Sequence, residues 1–173
     1  MAEASRGVGM LDELLEANER FADSYEGGEL EMAPQRRLAV LTCMDARLAP
    51  ERFMDLALGE AHVIRNAGGR ASDDALRSLV VSTRLLRTRE VVVIHHTDCG
   101  MMSFDSEEFQ QVLREETGAD AAGIDFLGFD DLEDSVREDV ERITTCTYMD
   151  EGISVSGLVY DVATGRLRRV DAG

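Results

Sequence analysis

Cys43, His96 and Cys99 are the residues whose types and spacing point to chemistry. Two thiolates and one imidazole suit zinc, and three protein ligands leave the fourth tetrahedral position open. An open position separates a catalytic zinc from a structural one. The two ligand sources each close an apolar run. Leu38-Ala39-Val40-Leu41-Thr42 leads into Cys43, and Val91-Val92-Val93-Ile94-His95 leads into His96 and Cys99. A strand-terminal Cys alone is more often a small buried hydrophobe, and a single His-x-x-Cys is weak. The metal reading rests on their coming together at matching strand ends. Asp45 and Arg47 follow Cys43 closely. Asp45 has three readings: an ion-pair partner of Arg47 that fixes the loop, an orienter of a metal-bound water, or a fourth zinc ligand. A bidentate Arg–carboxylate pair would keep Asp45 ionised and aimed.

The elements that must position these residues can be read from periodicity. Met10 to Ala22 is an amphipathic helix with Leu11, Leu14, Leu15, Phe21 and Ala22 on one face. Leu38 to Thr42 and His62 to Arg65 are short strands without clean alternation, as expected in a parallel sheet covered on both faces. Pro50 to Leu58, Ser72 to Leu86, Phe104 to Glu116 and Asp130 to Ile143 read as helices, and Glu90 to His95 as a β-branched strand. Ala119 to Phe129 is irregular. Ile153 to Asp161 and Leu167 to Val170 read as a hairpin turning at Ala163-Thr164-Gly165. Strands alternating with helices predict an α/β fold. Its sheet is mainly parallel, with strand order beginning 2-1-3, flanked by helices and ending in the hairpin, in a single domain over residues 1–173. Ligands in such sheets bind outside the carboxyl ends of strands where strand order reverses. Cys43 on strand 1 and His96 and Cys99 on strand 3 would meet there, bordered by Asn66 to Gly69. His95 should face away from His96, because side chains alternate, and is read as a packed or hydrogen-bonded residue. His62 is read as a strand-start residue, and Met101 and Met102 as packing.

Composition narrows the partners. The 173 residues suffice for a real core. The net charge of −17 argues against nucleic acid and an anionic membrane surface. All 18 basic residues are Arg. Three cysteines are too few for a disulfide scaffold, and Cys146 is left over as a buried or idle thiol. Residues 1–9 lack a signal-peptide pattern, and no apolar run approaches the roughly 20 residues that span a bilayer. The expectation is a cytoplasmic protein. No Cys-x-x-Cys supports a redox role, and the deaminase pattern of His-x-Glu with Pro-Cys-x-x-Cys is absent.

Cys43-Met44-Asp45-Ala46-Arg47 with His96-Thr97-Asp98-Cys99-Gly100 resembles the β-class carbonic anhydrases, and Arg65-Asn66-Ala67-Gly68-Gly69 fits the same pattern. The resemblance implies Zn2+ on Cys43, His96 and Cys99, with Asp45 and Arg47 as a catalytic dyad beside the fourth position. It implies reversible hydration of carbon dioxide to bicarbonate and a proton, by attack of zinc-bound hydroxide. It also implies a homodimer or higher homo-oligomer, with residues 1–30 as a helical arm reaching across the partner. Relatives with the same zinc motif hydrolyse carbonyl sulfide or carbon disulfide, so that activity is the first alternative. A non-catalytic zinc-stabilised module is the second.

Overall fold

The computed structural model describes residues 9–102 and 105–171. The chain divides into two units, residues 1–30 and 31–173. In the first, α1 spans Met10–Ala22, the bounds that its apolar spacing predicts. Asp12 accepts the Gly9 N–H at 3.2 Å and so closes the first turn. No residue of α1 is buried, and Leu11, Leu14, Leu15 and Phe21 are all more than half exposed.

The second unit is built on a five-stranded sheet: β1 (Leu38–Cys43), β2 (Ala61–Asn66), β3 (Glu90–His96), β4 (Ser154–Asp161) and β5 (Arg166–Val170). Their order is β2-β1-β3-β4-β5. The expected opening order 2-1-3 is observed, the first four strands are parallel, and β5 returns antiparallel to β4. The hairpin turns as its sequence predicts. Asp161 accepts the N–H of Ala163 and Thr164, and Gly165 takes a φ of +71°.

Alternation along the two central strands splits the core. Ala39, Leu41, Val91 and Val93 pack with Ala75 and Leu79 of α3 (Asp73–Leu85) and Ile143 of α5 (Leu132–Thr144). Val40 and Ile94 face the other way, against Leu56, Phe53 and Met54. Side-chain oxygens of Ser72 and Asp131 cap α3 and α5. α4 spans Ser106–Thr117, capped by Asp105 and ended by left-handed Gly118. Its expected start at Phe104 lies outside the described residues.

The helix expected over Pro50 to Leu58 is corrected. α2 covers only Pro50–Phe53. Asp55 adopts a φ of +52° and Gly59 one of +83°, so the chain leaves helical geometry and turns into β2. The apolar residues Phe53, Leu56 and Met54 imitate helical spacing because a tight turn also brings them to one face of the sheet.

Candidate metal centre

β1 and β3 are adjacent and parallel, so their carboxyl ends lie side by side. Thr42 ties them there, its hydroxyl donating to the Ile94 carbonyl at 2.8 Å. Cys43 ends β1 and is buried, and His96 ends β3 and is wholly enclosed. Asp98 then takes a φ of +55°, a left-handed step that Asp tolerates better than most residues, and Cys99 follows. From β2, the turn Ala67–Gly69 crosses behind Cys43. Gly69 has a φ of +72°, and a Cβ there would sit 2.8 Å from the Cys43 nitrogen and the Thr42 carbonyl carbon. Backbone against backbone cannot yield. Gly69→Ala is therefore expected to cost about 2 kcal/mol or more, a fall in Tm of roughly 5 °C for a chain of this size. Thermal unfolding would reveal it, and an unchanged Tm would mean that the turn relaxes away from β1.

One ligand atom each from Cys43, His96 and Cys99 can be chosen so that all three lie within 4.8 Å of one another. Tetrahedral zinc with sulfur at about 2.3 Å and nitrogen at about 2.0 Å needs its ligand atoms roughly 3.5–3.8 Å apart. A small closure satisfies that. The imidazole supplies the sharper test. His96 Nδ1 lies 2.9 Å from the Thr97 carbonyl, which fixes the proton on Nδ1. Its Nε2 is buried and has no hydrogen-bond partner. A buried nitrogen with a free lone pair, facing two sulfurs, fits a zinc ion.

The electrostatics agree. The neighbouring Cys99 thiol draws the Cys43 pKa well below the ordinary thiol range. Burial opposes this, and His96 with the backbone N–H of Asp45 and Gly68 adds to it. The same contact, with burial, pushes Cys99 up. A cation between the two sulfurs would favour the deprotonated form of both. Burial opposes a charge on His96, but the facing Cys43 sulfur, the Thr97 carbonyl and Asp45 raise it overall.

Asp45 and Arg47 form the bidentate pair that their spacing suggests. Arg47 Nε donates to Asp45 Oδ1 at 3.0 Å and Nη2 to Oδ2 at 2.7 Å, and the Arg47 backbone N–H donates to Oδ1 at 2.8 Å. Arg47 holds the Asp45 carboxyl well below the usual carboxylate range, against the effect of burial. Asp45 Oδ2 lies 3.9 Å from His96 Nε2, so the ionised carboxylate borders the ligand cluster. Two neighbours unnoticed in the sequence reading complete the arrangement. Asp98 takes the far side of Arg47, its carboxylate accepting from Nη1 at 2.7 Å and its carbonyl from Nη2 at 2.9 Å. Arg65 donates to the Cys43 and Asp45 carbonyls, at 3.1 and 2.7 Å, and pins the loop between them. Both lie inside the motifs quoted above, but a motif does not say which of its charges face each other.

Leu48 and Met101 pack beside the two cysteines, with Phe53, Ala67, Phe126 and Phe129 partly buried around them. Met101 is packing, as expected, while Met102 is 40% exposed. His62 bridges Ser82 and the Met32 carbonyl, and Cys146 is a half-buried free thiol against the core. His95 faces α5, hydrogen-bonded to Ser135 and Asp139. A groove of about 700 Å3 runs elsewhere, between α5 and the β4–β5 hairpin.

A mainly parallel α/β sheet with a Cys-His-Cys cluster and an ionised Asp–Arg pair at its carboxyl edge has the scaffold of a metal-dependent enzyme. The carbonic anhydrase family profile matches residues 38–167. Beta-carbonic anhydrase 1 of Mycobacterium tuberculosis is 42% identical over 161 residues, covering 93% of this chain and 98% of its own. The crystal structure of a carbonic anhydrase from Streptococcus mutans superposes with a TM-score of 0.88 at 43% identity, covering 99% of this chain and all of that one. A carbon disulfide hydrolase of an Acidianus species is 30% identical over 184 residues, covering 92% and 90%. The chain belongs to the beta-carbonic anhydrase family, whose cofactor is zinc.

Proposed function

We propose that this enzyme catalyses the reversible hydration of carbon dioxide to bicarbonate and a proton, at a zinc ion held by Cys43 Sγ, His96 Nε2 and Cys99 Sγ. The observation that carries the reading is the unpartnered, buried His96 Nε2 facing the two sulfurs. Zinc supplies a Lewis acid that brings the pKa of bound water toward neutrality and so provides a nucleophile. The chain does the rest. Thr97 holds the His96 proton on Nδ1. Asp45, kept ionised by Arg47, only accepts hydrogen bonds. It draws a donor's proton toward itself and turns that donor's lone pair to the substrate. The apolar side chains beside the cysteines suit an uncharged triatomic molecule.

Two thiolates at Cys43 and Cys99 would neutralise the charge of a bound zinc where three imidazoles would not, leaving its water less acidic. Activity should rise with pH from about 7 to about 9. Stopped-flow carbon dioxide hydration by zinc-loaded protein tests this. A flat profile, or no rate above buffer, would overturn the reading. The carbon disulfide hydrolase relative keeps one second reading open, hydrolysis of carbonyl sulfide or carbon disulfide at the same metal. Relative turnover of the three substrates separates them.

The same reading makes the enzyme a cytoplasmic homodimer or higher homo-oligomer, with residues 1–30 as an arm on a single zinc-binding domain. The exposed apolar stripe of α1 supports the arm and the oligomer. Its three free cysteines suit a reducing compartment. No helix among the described residues is long and apolar enough to cross a membrane.

A further inference from the structure

Behind the metal centre lies a buried polar network that the proposed reaction does not use. Asp139 of α5 is 2% exposed. Its Oδ2 lies 3.1 Å from His95 Nε2 and 3.0 Å from Arg70 Nε. His95 is wholly buried, and its Nδ1 lies 2.7 Å from the hydroxyl of Ser135, one helical turn before Asp139. Arg70 is 8% exposed at its side chain, lies 3.0 Å from Glu138 and stacks over the Phe129 ring. A buried charge in such a place demands a reason. Apolar groups often replace buried ion pairs without loss of stability, and retained pairs are best attested where they fix one arrangement among several.

The two partners of Asp139 point to that reason. His95 precedes His96 on β3, so fixing one imidazole fixes the strand end that presents the other. Arg70 follows Gly69 directly. Gly69 lies against the Cys43 and Thr42 backbone, where a Cβ would stand 2.8 Å from the Cys43 nitrogen. One carboxylate oxygen is therefore hydrogen-bonded to the strand that carries His96 and ion-paired with the residue after the turn that backs Cys43. Resting on the zinc assignment above, we propose that Asp139 is a positioning residue of the metal centre: through His95 and Arg70 it sets where His96 stands relative to Cys43.

The test uses the full chain with zinc and with Co(II) as probes, in wild type, Asp139→Asn and Ser135→Ala. Asp139→Asn keeps the shape and one acceptor, and Glu138 still neutralises Arg70. Zinc affinity, from competition with a chelator, is expected to fall 10- to 100-fold, the usual effect of losing a group that orients a ligand. The thiolate-to-Co(II) absorption band should shift. Ser135→Ala should move both in the same direction by less, and it decides the question if Asp139→Asn does not fold. Wild-type affinity and an unshifted band in the folded variants, with only Tm lowered, would overturn the proposal and leave Asp139 a packing residue. If wild type itself takes up no zinc that depends on Cys43, the metal assignment fails instead.

Discussion

Replacing Cys43 or Cys99 by Ser is expected to leave a folded protein with little zinc and no measurable hydration activity. The apparent binding energy of a zinc site, about 10–16 kcal/mol, is shared over four positions, so each ligand contributes roughly 3 kcal/mol. Losing one weakens the metal by about a hundredfold or more. Serine cannot substitute, because its hydroxyl does not ionise at neutral pH, and each zinc-bound thiolate also cancels one metal charge. The lost activity should track the lost metal, since no other group can make water nucleophilic. The fold should persist, because Cys43 and Cys99 end their elements and the core proper is Ala39, Leu41, Val91, Val93 and their partners. Metal analysis with circular dichroism checks both statements. A Cys43→Ser protein with full zinc and activity would dissolve the assigned centre. The acid side carries a sign as well. Protons compete with the metal for the Cys43 and Cys99 sulfurs and for His96 Nε2, so affinity should fall as pH falls.

Asp45→Asn separates holding the metal from using it. Zinc content should stay near wild type, since the substitution removes none of the three proposed ligands. kcat should drop about a hundredfold, the scale of a lost positioned proton acceptor. The reason is polarity. An amide must aim its oxygen at the Arg47 donors, which turns its NH2 toward the metal, where an acceptor stood before. Stability should change little. Arg47 is nearly half exposed at its side chain and keeps Asp98 at 2.7 Å as a counter-charge. Full turnover in a zinc-replete Asp45→Asn protein would remove Asp45 from the mechanism.

Much of this molecule was legible in its residues, for identifiable reasons. β1 and β3 are buried on both faces and read as apolar runs, so their ends, and with them Cys43, His96 and Cys99, could be located. α1, α3 and α5 announce themselves by the spacing of their apolar residues. α2 was overextended because a tight turn can gather apolar residues as a helix does. Asp139 escaped notice for a subtler reason. Reading α5 by its stripe of Leu132, Val136, Val140 and Ile143 makes every polar residue look solvent-facing. Ser135 and Asp139 stand four apart, directly beside that stripe, and this adjacency was the available signal. Which carboxylate meets which guanidinium depends on turns such as left-handed Asp98, where the periodic patterns that reveal helices and strands are silent.

The largely committed fork of Arg47 reaches beyond the reaction to what can block it. Four of the five guanidinium N–H groups are committed to Asp45 and Asp98, so an incoming inhibitor finds one Nη1 donor left rather than a bidentate cationic fork. What it meets there is the carboxylate of Asp45. A head group that offers the metal a lone pair and Asp45 an N–H or O–H is favoured, and one presenting lone pairs alone is repelled. Selectivity among blockers of this site is thus written in hydrogen-bond polarity more than in size.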